Sequence, residues 1–419
     1  MRGTLTETQM KALLESVKLI NSTLDLDELL FLIMDEITRN LNAERGTLYI
    51  VDESKNEIWS KIALGDKELV IRQPVGKGIS GYVAETGKVL NIRDAYNEPR
   101  FNPEFDKKSG YRTRSILCMP VNDRTGKTIA VLQILNKRNG FFDKKDEFFT
   151  AVFTDYISLA IQNAQLYREA LERKSLEDEI AVAGEIQKLL LPAKLPQLDE
   201  YELFAYHRPS RYIGGDYYDL FFNQDALNLI LADVSGKGTP AALLMASLQA
   251  TVHNIIGNSH TSLDIVNTIN SHLYSITAPD KYATLVWGRI DLSRHSFTYI
   301  TAGHVPPFLF KRIQQDISVT ELPIAGIPVG LLPKFDFREG SVQLNEDDIL
   351  VICSDGITEA QNGNEEMFDN HRLVKIVSNN FHQDAETIGR KIIEEVSSFQ
   401  KNGSYEDDIT LLIIKRKSS

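Results

Sequence analysis

The pattern of apolar and polar positions changes along the chain, and its first third alternates between helical and β-type spacing. A helical pattern covers residues 10–17, and a better marked helix follows at 29–37, where Asp25 is a capping residue and Glu28 occupies the capping-box position. Strands are predicted at residues 47–51, 57–63, 69–73, 115–121 and 128–135, and a glycine-rich turn at 76–81 precedes a short helix at 82–86. Helices beside an antiparallel sheet predict an α+β domain.

A long helical pattern occupies residues 155–191. Apolar positions such as Ile157, Ile161 and Leu171 share one side, and the stripe resumes after a phase break at Leu176, while charged residues fill the other faces. This narrow stripe favours a parallel coiled coil between two chains. The alternative is a helix packed against its own domain, and in either case Pro192 ends it.

Beyond residue 196, strand-like runs alternate with pairs of helical segments. Strands are predicted at 202–206, 217–222, 227–232, 284–290, 296–301, 307–311 and 348–354, and helices at 241–256, 262–277, 371–379 and 385–399. The pattern predicts an α/β sandwich of central sheets with helices outside, in which the last strand, 409–415, is central because it is apolar on both faces. The expected domains are residues 1–165, a helical linker 166–195, and residues 196–419.

Composition narrows the class of protein. A length of 419 residues is too great for one ordinary core. The net charge of -12 argues against general nucleic-acid binding, which needs a basic face. The first ten residues carry no apolar signal region, and no apolar run approaches the ~20 residues of a membrane helix, so we expect a cytoplasmic protein. Cys118 and Cys353 stand among apolar residues and are predicted to be small core residues.

Four carboxylate clusters stand beside β-type runs in the last two hundred residues. They centre on Asp216, Asp233, Asp355 and the pair Asp407-Asp408. A single Asp-Gly at a strand end is ordinarily a turn, but four such sites indicate a shared purpose. Carboxylates on adjoining strand ends can hold two divalent ions about 3.5 to 4 Å apart, and all-oxygen ligands suit Mg²⁺ or Mn²⁺.

The first domain resembles a GAF domain of the type found in cyclic-nucleotide phosphodiesterases and adenylyl cyclases. The resemblance rests on residues 91–96 and 110–120, and on Asn136-Lys137 followed by Phe142, Asp146 and Glu147. It implies a Lys137–Asp146 ion pair that supports the fold, and a pocket for cAMP or cGMP. The residues that it places around this ligand are Ile79, Ser80, Ser109, Thr113 and Gln133. The alternative is a GAF fold that only dimerises or binds another small molecule.

The last domain resembles the SpoIIE-like and RsbU-like branch of the metal-dependent PPM serine/threonine phosphatases. The motifs that carry the resemblance lie, in family order, at residues 185–192, 213–219, 232–238, 301–307, 354–360 and 407–410. It implies that Asp233 bridges two ions, that the Val234 carbonyl binds one, that Asp355 and Asp407 hold the second, and that Asp216 anchors coordinated water. Arg211 has the spacing from Asp216 of a phosphate-gripping arginine, although a solvated arginine is an equal alternative.

Together the resemblances imply a protein phosphatase with an N-terminal sensor. The implied substrate is a phosphorylated STAS-type anti-sigma-factor antagonist, and the implied assembly is a homodimer through the helical linker. His304 is a candidate general acid, but its glycine and proline neighbours also fit a shaped loop. The alternative function is a pseudophosphatase, or a phosphoprotein-binding module whose GAF domain serves only dimerisation.

Overall fold

The computed structural model describes residues 25–64, 70–223, 226–256, 261–322, 326–400 and 407–418. The helix predicted at residues 10–17 lies outside these ranges. The chain forms two compact units, and the boundary between them falls between Lys174 and Ser175. Among the described residues, no helix has both the length and the apolar character that a membrane span requires.

The first unit is built on one six-stranded antiparallel sheet. Its strands are β1 (Ala43–Asp52), β2 (Glu57–Leu64), β3 (Arg72–Pro74), β4 (Leu90–Ile92), β5 (Ile116–Asn122) and β6 (Thr128–Lys137), and its helices are α1 (Leu26–Asn40), α2 (Gly78–Thr86) and α3 (Glu104–Ser109). The strand order is β3-β2-β1-β6-β5-β4. This confirms the predicted α+β organisation.

Local sequence signals explain how these helices begin. The Asp25 carboxylate accepts hydrogen bonds from the backbone N–H groups of Asp27 and Glu28 at 2.8 and 3.1 Å, so the predicted cap of α1 is confirmed. Helix α2 begins at Gly78, so the prediction that residues 76–81 form a turn is wrong for residues 78–81. The turn occupies residues 75–77, and Gly76 and Gly78 have the positive φ angles that glycine tolerates.

A single helix, α4 (Lys144–Lys188), runs for 45 residues and crosses the boundary between the two units. It begins eleven residues before the predicted start at residue 155, because the Asp143 carboxylate accepts from the N–H groups of Lys145 and Asp146. Its first turns pack Phe149, Phe153 and Ile157 into the core of the first unit. Helical structure is unbroken across the predicted phase break.

The second unit contains two five-stranded antiparallel sheets. Its strands are β7 (Tyr201–Arg208), β8 (Tyr217–Asn223), β9 (Ala226–Val234), β10 (Ala283–Asp291), β11 (Ser296–Ala302), β12 (Phe308–Ile313), β13 (Asp316–Glu321), β14 (Gly340–Gln343), β15 (Ile349–Cys353) and β16 (Ile409–Arg416). Its helices are α5 (Thr239–Ile256), α6 (Ser262–Ile276), α7 (Asp355–Thr358), α8 (Asp369–Asn379) and α9 (Ala385–Phe399). The sheet orders are β14-β11-β10-β9-β8 and β13-β12-β15-β16-β7.

Three apolar layers hold this second unit together. One contains side chains of both sheets, such as Leu229 and Ile352, and the other two place helix pairs α5/α6 and α8/α9 against the outer faces of the sheets. Strand β16 lies between β15 and β7 and is buried from residue 409 to 415, which confirms its predicted internal place. Strands β13 and β14 were missed because both are polar edge strands with partly exposed residues.

Candidate active site

Four strand ends bring the predicted carboxylates to one region of the second unit. Asp216 directly precedes β8, Asp233 lies near the end of β9, Asp355 follows β15, and Asp407 lies just before β16. Pairing of β8 with β9, and of β15 with β16, aligns these ends within each sheet. The predicted convergence of the four clusters is therefore visible in the fold, although the roles assigned to the individual residues stay predictions.

Electrostatic repulsion among these carboxylates shows how close they are. Burial raises the pKa of Asp233 to about 8, and the charges of Asp355, Asp407 and Asp408 add to the effect. Burial also raises the pKa of Asp216 well above its usual value, assisted by Asp233 and Asp408 and opposed by the Thr410 hydroxyl. The pKa of Asp355 is raised to about 6 by burial and by Asp407. The site therefore favours protons or cations.

The carboxylates fit hard divalent cations in donor chemistry and charge. Among the described residues, no group of three or more His, Cys, Asp or Glu side chains is close enough to hold a metal. Lys237 instead lies beside the site, with its Nζ 3.0 Å from Asp407 Oδ2, and it lowers the pKa of Asp355.

Asp408 serves the site differently from its neighbour Asp407. Its buried carboxylate accepts from the backbone N–H groups of Ser210 and Gly215 at 2.7 and 2.6 Å. It also lies 3.4 Å from the N–H of Asp216. The sequence alone indicated no separate role for Asp408, because both acidic residues of the motif stand just before β16.

The end of α4 grips the loop that carries Asp216. The Gln187 side-chain amide donates from Nε2 to the Gly214 carbonyl at 2.8 Å and accepts from the Gly214 N–H at 3.0 Å. Gly214 has no room for a side chain, because a Cβ there would lie 2.3 Å from Asp408 Oδ2. One turn earlier on α4, a Cβ on Gly184 would lie 2.2 Å from the Tyr212 carbonyl oxygen. Close backbone contact thus fixes helix and loop together.

The remaining predicted site residues have different environments. Arg211 is exposed on the loop before Asp216. Val234 is buried, and its carbonyl oxygen would lie 2.9 Å from a Cβ on Gly215. His304 is buried with Nδ1 2.7 Å from Thr284 Oγ1, and burial lowers its pKa to about 4. A neutral imidazole at this place braces the strand residue that pairs with Asp233 and is a poor general acid at neutral pH.

Asp219, the last acidic residue of the 213–219 motif, belongs to another contact. Its carboxylate pairs with His253 Nε2 on α5 at 2.7 Å and also accepts from the Tyr217 hydroxyl. This His–Asp pair is separate from the carboxylates at the strand ends.

In the first unit, the predicted ligand residues lie on α2, the end of α3, β6 and the loop before β5. Ile79 and Ser80 are buried near the start of α2, where the Gln73 side-chain amide donates to Ser80 Oγ. Thr113 is buried and donates from Oγ1 to Asp106 Oδ1 at 2.8 Å. Gln133 lies in β6, opposite Thr47 and Cys118. The side chain of Ser109 lies outside what the structure describes.

The Asn136-Lys137 motif of the first unit has a structural role. Buried Asn136 accepts from the N–H groups of Arg114 and Ser115 and donates to Glu44, so it fixes the loop before β5. Lys137 forms the ion pair with Asp146 that the resemblance implied. The motif therefore holds the fold and does not by itself indicate a ligand. Both cysteines are buried and free, as predicted.

Comparisons with known families match both units. Residues 25–161 match the GAF domain model, and residues 223–417 match the model described as Stage II sporulation protein E (SpoIIE). The SiaA-PP2C domain of Pseudomonas aeruginosa superposes with a TM-score of 0.52 at 21% identity, covering 59% of this chain and 100% of that one. This structure supports the fold of the second unit.

Two curated relatives match different portions of the chain. Phosphoserine phosphatase RsbU of Bacillus subtilis (strain 168) is 26% identical over 271 residues, which are 65% of this chain and 79% of that protein. A probable 3',5'-cyclic phosphodiesterase of Caenorhabditis elegans is 37% identical over 161 residues, 36% of this chain. The chain spans only 22% of the length of that phosphodiesterase.

Proposed function

We propose that this chain is a protein serine/threonine phosphatase of the SpoIIE type with a GAF domain ahead of its catalytic domain, and that its activity depends on two divalent ions, Mn²⁺ or Mg²⁺. The observation that carries the proposal is the convergence of carboxylates whose pKa values are raised by burial and by one another. Such a group is stable in its ionised form only with cations nearby.

Each carboxylate would have a defined part in holding the ions. Asp233 would bridge them, the Val234 carbonyl would complete one site, Asp355 and Asp407 would hold the other ion, and Asp216 would orient solvent. When bound, divalent ions polarise a phosphoryl group and lower the pKa of water, so phosphoester hydrolysis needs no covalent intermediate on the protein. The side chains of this chain would hold the phosphoryl group of the substrate in one orientation for attack.

Arg211 would grip the phosphoryl group of the substrate. Its exposed guanidinium stands on the same loop as Asp216, five residues earlier, and arginine binds phosphate oxygens with two parallel hydrogen bonds. Its replacement by alanine is expected to lose about 1.5 to 3 kcal/mol of transition-state binding. Arg211→Lys should recover only part of the lost binding. An unchanged kcat/KM in Arg211→Ala protein would show that Arg211 is a solvated surface residue without a role in binding phosphate.

Metal-dependent hydrolysis of a phosphorylated peptide is the direct test. Activity should require Mn²⁺ or Mg²⁺, stop on chelation and disappear in Asp233→Asn protein, with Asp219→Asn as a matched control at a carboxylate outside the group. Asp407→Asn should weaken mainly one of the two ion sites. Full activity of Asp233→Asn protein, or turnover in the complete absence of metal, would contradict the proposal.

A pseudophosphatase that only binds its phosphorylated partner is the second candidate. The Lys237–Asp407 ion pair favours it, because an ammonium occupies one predicted ligand and no described trio of ligands is assembled. Calorimetry, together with the phosphate-release assay, separates the two candidates. A binding protein would retain affinity for the phosphorylated partner in the Asp233→Asn form and would release no phosphate in any form.

The proposed substrate is the phosphorylated form of a STAS-type antagonist of an anti-sigma factor. The support is the relation to RsbU, which is named a phosphoserine phosphatase, together with the order of the motifs in the second unit. Release of phosphate from phosphorylated STAS-domain proteins should exceed release from an unrelated phosphoprotein at equal concentration. Equal rates on the STAS-domain phosphoproteins and on the unrelated phosphoprotein would contradict this choice of substrate.

We further propose that the GAF domain binds a cyclic nucleotide and controls the phosphatase. The Gln73–Ser80 and Asp106–Thr113 hydrogen bonds involve polar groups that can be exchanged for those of a ligand. Calorimetric titration of the full chain with cAMP and with cGMP tests this, with Ser80→Ala expected to weaken binding and Ser54→Ala, in an exposed turn, as control. If neither nucleotide gives a heat of binding, the proposal is wrong and the alternative is a GAF domain that serves dimerisation.

Dimerisation through α4 would connect ligand to activity. In the single chain, Leu166, Leu171 and Leu176 are 64%, 51% and 60% exposed in the middle of this helix, so its apolar side chains lack cover. A coiled coil with a second copy would bury them. Leu171→Glu should shift the mass measured by light scattering from dimer to monomer.

Insertion of one residue beside Lys174 turns the rest of the helix by about 100° and should uncouple ligand from turnover.

A further inference from the structure

A chain of two hydrogen bonds leads away from the Asp216 carboxylate into the interior of the second unit. Thr410 Oγ1 donates to Asp216 Oδ2 at 2.5 Å, and the same oxygen lies 3.0 Å from His207 Nδ1. His207 on β7 and Thr410 on β16 are direct partners in the register of the sheet. These contacts are set by strand pairing and not by a mobile loop.

The direction of this chain is set when Asp216 is ionised, as it would be beside a cation. A threonine hydroxyl has one hydrogen, and Thr410 gives it to the Asp216 carboxylate. The contact with His207 must then be a donation from the ring Nδ1–H to Thr410 Oγ1. His207 is therefore held as the Nδ1–H tautomer, and burial, which lowers its pKa to about 4, keeps the ring neutral.

Thr410 is itself locked on its other side. Its backbone N–H donates to Ser354 Oγ at 2.9 Å, and the Ser354 hydroxyl donates to the Asp408 carbonyl at 3.1 Å. The Thr410 side chain is completely buried, so its hydroxyl has no solvent alternative. The Thr410 end of the contact with Asp216 is thus fixed by the fold.

We propose that His207 and Thr410 are positioning residues, which orient the ionised Asp216 carboxylate toward the ion site through the sequence His207 to Thr410 to Asp216. Neither residue touches substrate. Partners of this kind set the orientation of a metal-binding side chain, and their loss typically costs 10- to 100-fold in metal affinity or activity. The inference rests on the proposed metal-dependent function.

Paired substitutions isolate the hydrogen bonds from the packing. Thr410→Ser keeps the hydroxyl, whereas Thr410→Val has nearly the same shape and no hydroxyl. His207→Asn keeps an N–H donor near the position of Nδ1, whereas His207→Leu does not. The ring of His207 lines a cavity of about 220 Å³, so a smaller residue there enlarges an existing space and does not open a new void in the core.

Calorimetric binding of Mn²⁺ to the full chain is the first measurement, with the melting temperature of the metal-free protein and kcat as companions. We expect Thr410→Val to weaken Mn²⁺ binding about 10-fold or more and His207→Leu to weaken it in the same direction. Thr410→Ser and His207→Asn should remain within about threefold of the parent. His253→Leu, which breaks the separate pair with Asp219, should leave Mn²⁺ affinity unchanged.

The outcomes distinguish this inference from the proposed function. Parental Mn²⁺ affinity in folded Thr410→Val protein overturns the positioning role while the phosphatase assignment stands. Equal losses in His207→Asn and His207→Leu show that ring volume and not donation matters, and also overturn it. If Thr410→Val fails to fold, the two His207 variants decide. A parent chain that binds no Mn²⁺ overturns the metal-dependent function and this inference together.

Discussion

The grip of Gln187 on Gly214 leads to a quantitative prediction about stability. Gln187→Leu keeps the approximate size and helix propensity of the side chain but removes both hydrogen bonds to the Gly214 backbone. Because Gly214 is buried, its N–H and C=O would be left without partners. Each unsatisfied buried group costs about 1–3 kcal/mol.

Burial of the leucine offsets part of this cost. A leucine that is mostly covered gains about 1–2 kcal/mol of transfer free energy over the amide. The net loss in the free energy of unfolding of the second unit is therefore roughly 3 kcal/mol. For a unit of this size, that loss lowers the melting temperature by roughly 6–12 °C.

Tryptophan fluorescence can follow the second unit alone. The chain has two tryptophans, and Trp287 is completely buried in the second unit while Trp59 lies in β2 of the first. In a Trp59→Phe background, melting monitored at Trp287 reports the unit that contains Gly214. Lys188→Leu, the neighbouring residue with an exposed side chain, is the matched control and should stay within about 0.5 kcal/mol of the parent.

The comparison of the two leucine variants decides the result. A melting temperature of Gln187→Leu protein within about 2 °C (about 0.5–1 kcal/mol) of the Lys188→Leu value would refute the argument that the amide holds the loop. Loss of stability with unchanged kcat would show that the loop keeps its conformation without the Gln187 hydrogen bonds. We expect both the melting temperature and kcat of Gln187→Leu protein to fall, because Asp216 follows Gly214 by two residues.

Three further predictions concern the same region. Gly184→Ala should destabilise the second unit despite the better helix propensity of alanine, because its Cβ would lie 2.2 Å from the Tyr212 carbonyl oxygen, and thermal melting measures the sign. Lys237→Gln should tighten Mn²⁺ binding severalfold in calorimetry, since it frees Asp407 from an ion pair. Metal-free protein should lose stability as pH rises from 3.8, the usual pKa of an aspartate, to about 8, the raised pKa of Asp233, because the folded state binds the proton more tightly than the unfolded state does. Asp233→Asn should abolish this part of the pH dependence, and persistence of the full slope would contradict the assignment.

Local signals in the sequence predicted much of the fold. Asp25 was identified as a helix cap from its spacing to Glu28, and β16 was predicted to be internal from its apolar residues on both faces. These predictions depend on neighbours within a few residues, where propensity and side-chain alternation are decisive. The early start of α4 depends on Asp143, whose capping role is visible only once the helix is known to continue through residues 144–154.

The framework of the candidate site could not be predicted in the same way. Asp408 binds N–H groups of Ser210 and Gly215, which lie almost two hundred residues earlier in the chain. Likewise, no local pattern joins Gln187 to Gly214 or His207 to Thr410. Such contacts follow from strand pairing and sheet packing, so the motif 407–410 indicated carboxylates without showing which of the two acidic residues supports the backbone.

The division of labour between Asp407 and Asp408 explains how the site can remain selective for cations. The N–H groups of the loop before β8 are directed to Asp408, which satisfies them and is buried. They are thereby withheld from Asp233, whose charge is opposed by other carboxylates. Positive charge near the site comes from Lys237, whose side chain is 49% exposed and can move into solvent at little cost. The charge of Asp408 adds to that of the other carboxylates, so the site favours an arriving divalent ion over internal neutralisation by the protein.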